Sequence, residues 1–302
     1  MDFGKLQTIA HVDFTLPADN AGTQVVLQQH KQEAKPEVYI GLPVWVNKAW
    51  AGSIYPASMR EKDSLLWYGR QFNTIELNST HYHIPGPTTI DRWRNSVPRG
   101  FKFCPKFPQL ISHEGPLRNT QSITTAFFEA IAGLEDNLGS SFLQLPPYFG
   151  PDQLPDLEAF LRFIPESIPV TIEFRHPDWF TDEVAGQELF ELLEKYEVGT
   201  VITDVAGRRD VLHMRLTTPA AMIRFVGNGL HPTDYSRIDA WVQRLKLWFD
   251  SGLQQLYFFV HEPDNTLAPE LAIYLIGQLN EVCGLNLKVP KKYIQPVQGE
   301  LF

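Results

Sequence analysis

The chain is poor in cysteine and lacks any long apolar run. Its 2 cysteines, Cys104 and Cys283, stand far apart in 302 residues and do not have the short spacing of a zinc site. Low cysteine usage is typical of a reducing compartment, and the first residues lack the pattern of a signal peptide, so we expect a cytoplasmic protein. No run approaches the length of a membrane span, so no membrane partner is expected.

Basic residues are also scarce, and no run of them stands out. The formal net charge is −9, from 26 basic against 35 acidic side chains. Nucleic-acid phosphates repel an acidic chain that has no local basic patch. The nearest candidate patch, Lys288, Lys291 and Lys292, is typical of a solvated surface. Nucleic acid is therefore a disfavoured partner.

The composition is that of a globular domain, with 43% hydrophobic and 20% charged residues. Residues 1–36 lack sustained periodicity and predict an irregular N-terminal extension. From residue 37 short β-rich runs alternate with helical patterns, which indicates βα units and a parallel sheet. We therefore predict an extension over 1–36, one barrel domain over 37–282 and a C-terminal tail over 283–302.

The β-rich runs number eight. They are Val38–Gly41, Thr74–Asn78, Phe101–Phe107, Ser141–Leu145, Val170–Arg175, Thr200–Asp204, Ala221–Gly227 and Leu256–His261. Helical patterns follow nearly all of them, and residues 207–219 form an insertion that replaces part of a helix. The sequence thus predicts an α/β fold, a single (β/α)8 TIM-like barrel. A doubly wound open sheet is the alternative, but the first strand is not followed by a glycine-rich phosphate loop.

Polar side chains collect at the strand ends, where such barrels build their sites. In chain order they are Glu76, Asn78, Lys106, Gln144, Glu173, Arg175, Asp204, Arg224, Asn228, His261 and Glu262, with His176 just beyond strand five in "TIEFRHPDWF". One interpretation is structural, because buried ion pairs can simply neutralise each other. Convergence from seven strands favours a ligand site instead.

Seven motifs resemble, in order, those of the DUF72 family. They are "YIGLPVW…WAGSIYP", "FNTIELNSTHY", "RW…FKFCPKFP…ISH", "FLQLPPYF", "IEFRHPDWF", "VITD" and "IRFVGN", within about Val38 to Leu279. The resemblance implies a TIM barrel whose activity is not established. The family is sometimes labelled sugar-isomerase-related and looks like the divalent-metal barrels that include endonuclease IV and xylose isomerase. Strand eight departs from the family pattern, with "FFVHEPDN" where many relatives have an asparagine-rich stretch.

The first functional hypothesis is a metal-free enzyme or binding pocket for an anionic, carbohydrate-like molecule, phosphorylated or carboxylated. Lys106, Arg175 and Arg224 are suited to bind the anion. The predicted catalytic residues are Glu76, Glu173, His176, Asp204 and His261. The other predicted ligand contacts are Trp45, Asn78, Tyr82, Gln144 and Asn228. Isomerase or hydrolase chemistry is suggested by fold analogy alone.

Two alternatives stay open. A divalent-metal-dependent phosphodiesterase or sugar isomerase would use Glu76, Glu173 and Asp204 with some of the histidines at 81, 83, 176, 231 and 261. No HExxH spacing occurs, and the basic residues compete for the same carboxylates, so no cofactor and no metal ligand is predicted. The other alternative is a non-enzymatic binding or scaffold protein.

Overall fold

Eight parallel strands form a nearly closed barrel in the computed structural model, which describes residues 4–293. The ends of the predicted extension and tail, 1–3 and 294–302, lie outside the described residues. The strands are β1 Glu37–Leu42, β2 Thr74–Leu77, β3 Lys102–Pro105, β4 Ser141–Gln144, β5 Val170–Glu173, β6 Gly199–Asp204, β7 Ala220–Val226 and β8 Gln255–His261. Their order is β3-β2-β1-β8-β7-β6-β5-β4, and a bridge between Lys106 and Phe142 joins β3 to β4. The predicted (β/α)8 barrel is confirmed.

Helices surround the strands. They are α1 Ala21–Gln29, α2 Ser64–Gln71, α3 Pro87–Ser96, α4 Gln109–Ser112, α5 Gln121–Ala132, α6 Leu154–Leu161, α7 Asp178–Thr181, α8 Glu183–Lys195, α9 Pro232–Ser251 and α10 Ala268–Cys283. In α9, Ile238, Trp241, Val242 and Leu245 are buried at spacings of three and one, so one stripe of the helix packs on the barrel. Within residues 4–293 no helix is both long and apolar enough to cross a membrane.

The connection between β6 and β7 has only a short 3-10 turn, Arg209–Val211, in place of an α-helix. Helix α1 lies against this connection. The Thr23 hydroxyl donates to the Met214 carbonyl at 2.7 Å and accepts from the Leu216 amide at 3.0 Å. The prediction of an irregular N-terminal extension is therefore wrong over these residues, because a helix forms where it can bury Thr23, Val26 and Leu27.

The interior of the barrel is divided into an apolar floor and a polar mouth. The floor is one cluster of buried side chains, Tyr39, Cys104, Phe142, Val201, Met222, Tyr257 and Phe259. The rings of Tyr39 and Tyr257 stack with centroids 5.0 Å apart. Because side chains alternate along a strand, the inward positions two residues further along form the next layer. That layer lies towards the carboxyl ends of the strands, and it is polar.

Candidate functional site

Arg224 of β7 is the centre of the polar layer. Its Nε and Nη2 donate to Oε2 and Oε1 of Glu76 at 2.9 and 3.0 Å, which is a bidentate pair. Its Nη1 donates to Glu173 Oε2 at 2.7 Å. All three side chains are at most 3% exposed. One guanidinium thus links β2 to β5 across the interior of the barrel.

Glu173 has two further partners. Arg175 Nε donates to its Oε1 at 2.6 Å, and Gln144 Nε2 donates to its Oε2 at 2.8 Å. The same glutamine accepts at Oε1 a hydrogen bond of 2.9 Å from Lys106 Nζ. The predicted residues of strands three, four, five and seven are therefore brought together in one connected network.

Glu76 is held from a second side by β8 and by the end of β2. His261 Nε2 lies 2.9 Å from Glu76 Oε2, and Asn78 Nδ2 donates to Oε1 at 2.9 Å. Burial works to raise the pKa of Glu76, but Arg224 and His261 outweigh it and hold the pKa well below its usual value. The ionised Glu76 accepts a hydrogen bond from Nε2–H of His261, and in that tautomer the lone pair of the imidazole is on Nδ1.

The second carboxylate is also ionised. Burial works to raise the pKa of Glu173, but Arg175 and Arg224 bring it down to about 2. All four oxygens of Glu76 and Glu173 accept hydrogen bonds. Both carboxylates are therefore held in place by hydrogen bonds at each of their oxygens.

Lys106 gives the layer a surplus of positive charge. The side chain is buried, and among residues 4–293 it forms no ion pair; its ammonium bonds the neutral amide of Gln144. Burial, followed by repulsion from Arg224, lowers the pKa of Lys106 to about 8, so the group is mostly charged at neutral pH. With Arg175 and Arg224 it makes three buried cations beside the two carboxylates, Glu76 and Glu173.

A cavity of about 620 Å³ opens above this layer. Its walls come from the strand ends and from the N-terminal segment, with Asn78, Arg175, Thr203, Arg224, Asn228, His231, His261, Glu262 and residues 4–9 among the lining groups. Three polar atoms of this lining are buried without a hydrogen-bond partner in the described part of the chain: Asn78 Oδ1, Thr203 Oγ1 and Glu262 Oε1. Unsatisfied buried polar atoms are rare in folded proteins, so their concentration in one cavity indicates a ligand site.

Asp204, a predicted catalytic residue, lies on the other side of its strand. Thr203 pairs with Arg224 in the ladder between β6 and β7, so Thr203 faces inward and Asp204 faces the helices. There Trp241 Nε1 donates to Asp204 Oδ2 at 2.8 Å, and Arg237 Nη2 lies 2.8 Å from Oδ1. Arg209 forms a further ion pair with the same carboxylate. These contacts anchor α9 to the barrel and keep Asp204 out of the polar layer.

Four other predicted residues also lie apart from the network. His176 accepts at Nδ1 from the Asp178 amide at 3.2 Å, at the start of the short helix α7. Tyr82 is 75% exposed, and Trp45 packs edge-on against Trp93. Asn228 does line the cavity, but its amide donates to Asp234 at 2.9 Å.

Family comparisons agree with the barrel geometry. A family model described as "Protein of unknown function DUF72" matches residues 39–293. The UPF0759 protein YecE of Escherichia coli (strain K12) is 34% identical over 283 residues, which cover 88% of this chain and 100% of that protein. The chain belongs to the DUF72 family. The UPF0759 protein YunF of Bacillus subtilis (strain 168) is 28% identical over 161 residues, 50% of this chain and 55% of that protein.

Two solved DUF72 structures have the same fold. A DUF72 family protein from Enterococcus faecalis V583 superposes with a TM-score of 0.65 at 18% identity, covering 83% of this chain and 99% of that one. A DUF72 family protein from Thermotoga maritima MSB8 gives a TM-score of 0.60 at 21% identity, covering 81% and 99%. These similarities show the fold, whereas the chemistry depends on the side chains of the site.

The N-terminal wall of the cavity lies outside the part that matches the DUF72 model. Its first described residue, Gly4, accepts at its carbonyl from the Gly207 amide at 3.0 Å, and its φ of +74° suits glycine. Further along, Phe14 lies under Arg237 and Arg209, 4.8 and 5.5 Å from their guanidinium carbons. No periodic pattern marks this segment, because it is held by single contacts to distant residues.

Three residues in or near the mouth were given no catalytic or binding role by the sequence. Thr203 and Glu262 line the cavity, and His113 lies close enough to Lys106 and Arg175 that they help to lower its pKa, after burial. Glu262 directly follows His261 at the end of strand eight, which was the available signal. His113 follows the short helix α4, well beyond its strand, so position at a strand end did not mark it.

Proposed function

We propose that the mouth cavity binds a small anionic, carbohydrate-like molecule, phosphorylated or carboxylated. The observation that supports this most directly is the charge of the polar layer, with three buried cations beside two carboxylates. A buried charge without a counter-ion is costly, and a bound anion would supply the missing one. Arg175 and Arg224 line the cavity, and guanidinium groups bind carboxylate and phosphate in a fork.

The remaining polar atoms of the lining suit the hydroxyl groups of such a molecule. Asn78 Oδ1 accepts a hydrogen bond, and Thr203 Oγ1 can donate or accept one; both lack a partner among the described residues. An apolar ligand would leave them unsatisfied at a cost of about 1–3 kcal/mol each. A polyhydroxylated anion therefore complements both the charge and the hydrogen-bonding groups of the site.

His261 is the base of the proposed site, and Glu76 is its positioning residue. The imidazole is fixed at Nε2 by the ionised carboxylate, while Nδ1 has no protein partner in residues 4–293. In a proton transfer, Nδ1 takes a proton from an O–H or C–H group of the ligand, and Glu76 stabilises the resulting imidazolium. Arg224 keeps Glu76 ionised, so the arginine acts on the base through the carboxylate.

The divalent-cation alternative does not fit this donor set. A hard cation needs carboxylate oxygens, but those of Glu76 and Glu173 are already bonded to arginines and amides. The charge surplus is also of the wrong sign for a cation site. Within residues 4–293 no three His, Cys, Asp or Glu side chains are grouped in a way that could hold a metal ion.

Isothermal titration of the full chain tests the proposal. The probes are inorganic phosphate, glucose 6-phosphate, gluconate and uncharged glucose, at low ionic strength because salt screens a charged site. We expect the anions to bind and glucose not to bind. An anion site would be refuted if glucose binds as tightly as glucose 6-phosphate, or if none of the anions binds. Prolonged incubation with the bound probe, followed by NMR of the sugar, distinguishes turnover from binding alone.

A further inference from the structure

Glu262 is a buried carboxyl group that the network around Arg224 does not include. It follows β8 and is 3% exposed. Its Oε2 accepts a hydrogen bond of 2.7 Å from the Gly229 amide. A methyl group at Gly227 would come within 2.3 Å of Glu262 Oε1, so glycine is needed there to leave room for the carboxyl group.

The other oxygen of Glu262 is buried next to Gly227, and its hydrogen-bonding capacity is not used within residues 4–293. Oε1 is buried and has no hydrogen-bond partner among residues 4–293, and the residue is part of the cavity lining. A buried oxygen of this kind costs free energy unless a ligand completes it. One end of the carboxyl group is thus fixed by the backbone, and the other is available to a bound molecule.

The charges around Glu262 are mixed. Burial raises the pKa of Glu262 to about 7. The backbone amides of Gly229 and Leu230 oppose this rise, and Asp234 of α9 adds to it. Arg237 of the same helix works to lower it. Tyr235, also on α9, is close enough for Glu262 to contribute to its raised pKa. A carboxyl group in these surroundings holds a proton near neutral pH and can release it.

We propose that Glu262 is a second acid–base residue of the mouth cavity, which gives a proton from Oε1 to an oxygen of the bound ligand. The Oε1–H bond breaks, the ligand oxygen takes the proton, and the electron pair stays on the carboxylate. The amide of Gly229 stabilises the resulting charge at Oε2. With His261 as base, the site then has both groups that a proton shift along a sugar chain requires. The inference rests on the proposed function.

The test is a carboxyl ¹³C NMR titration of the full chain, in which loss of one signal in Glu262→Gln assigns the residue. In the free protein we expect a midpoint of about 7 for Glu262. Glucose 6-phosphate should raise the midpoint by about one pH unit or more, equivalent to about tenfold tighter binding to the protonated form. Inorganic phosphate, which lacks the sugar hydroxyls, should raise it less.

Calorimetry with the same two probes separates the proposals. Glucose 6-phosphate affinity should fall by about fivefold relative to Glu262→Gln as the pH rises from about 6 to about 8. The control, Glu166→Gln at an exposed position, should match the wild type. Two results would overturn the role of Glu262 and leave the anion site standing. One is a titration midpoint of Glu262 near 4.5 in the free protein. The other is a midpoint that glucose 6-phosphate and inorganic phosphate shift equally while phosphate binds. If neither probe binds, the anion site fails, and the role of Glu262 fails with it.

Discussion

Replacing Lys106 by methionine separates a ligand site from a structural ion network. In a structural network every buried charge has a counter-charge, and removing one partner costs about 3–5 kcal/mol. Lys106 has the neutral Gln144 as its hydrogen-bond partner, and it adds to the positive charge around Arg224. Its ammonium should therefore cost the folded protein free energy while the cavity is empty.

The magnitude follows from the pKa. Burial, then Arg224, lowers the pKa of Lys106 from 10.5 to about 8, and each pH unit corresponds to about 1.4 kcal/mol, so the charge costs about 3 kcal/mol at neutral pH. Between those two pKa values the unfolded chain binds the proton and the folded chain does not, so stability rises with pH there. Lys106→Met removes the cost but leaves Gln144 Oε1 without its donor, at about 1–3 kcal/mol.

The free energy of unfolding can be measured with urea at constant ionic strength. The proteins compared are the wild type, Lys106→Met and an exposed control, Lys62→Met. At pH 7 we expect Lys106→Met to be unchanged or more stable by up to about 2 kcal/mol. From about pH 8 to about pH 10.5 the wild type should gain about 3 kcal/mol relative to it, while Lys62→Met follows the wild type. A loss of about 3–5 kcal/mol at pH 7, with no dependence on pH in that range, would refute the reasoning.

Two further changes test the cavity. Thr203→Val removes an unsatisfied hydroxyl, so we expect little change in unfolding free energy but about tenfold weaker binding of glucose 6-phosphate. The control Thr124→Val removes an unsatisfied buried hydroxyl of α5 and should leave binding intact. Equal effects of the two substitutions on binding would contradict the assignment of Thr203 to the ligand site. Deleting residues 1–9 removes one wall of the cavity, so calorimetry should show weaker binding with an almost unchanged melting temperature. The matched deletion of residues 294–302 is the control, and unaltered affinity after the first deletion would show that the wall plays no part.

The strands were predictable, and helix α1 was the main error in the fold. Strands buried on both faces appear as short runs of β-branched and aromatic residues, which stand out from their surroundings. Helix α1 had weaker signals: Asn20 caps it, and Thr23, Val26 and Leu27 are spaced by three and one. Its apolar face is completed by the connection after β6, about 190 residues away, so its stability depends on contacts that the local sequence does not contain.

Strand position located the charged side chains that face into the barrel, but it did not locate the neutral Thr203. Strand position correctly brought Glu76, Glu173 and Arg224 together, because the carboxyl ends of parallel strands meet at one end of a barrel. In β6 the same reasoning chose Asp204 as the residue that faces the site, although Thr203 is the one that faces inward. Both faces of a barrel strand are buried, so alternation of polar and apolar residues does not show which face is inside. Only the register with β7 decides it.

The polar groups on the two faces of these strands differ in a way that distinguishes structural from functional charges. Outside the barrel, Asp204 and Asp234 are matched by Arg209 and Arg237, so the buried network is neutral as well as bonded. Inside, three cations stand beside the ionised Glu76 and Glu173, and several lining atoms have no partner in residues 4–293. A network that serves stability alone gains from neutrality and from satisfied hydrogen bonds. The outer network meets both conditions, whereas the inner one needs an anion with hydroxyl groups to meet them.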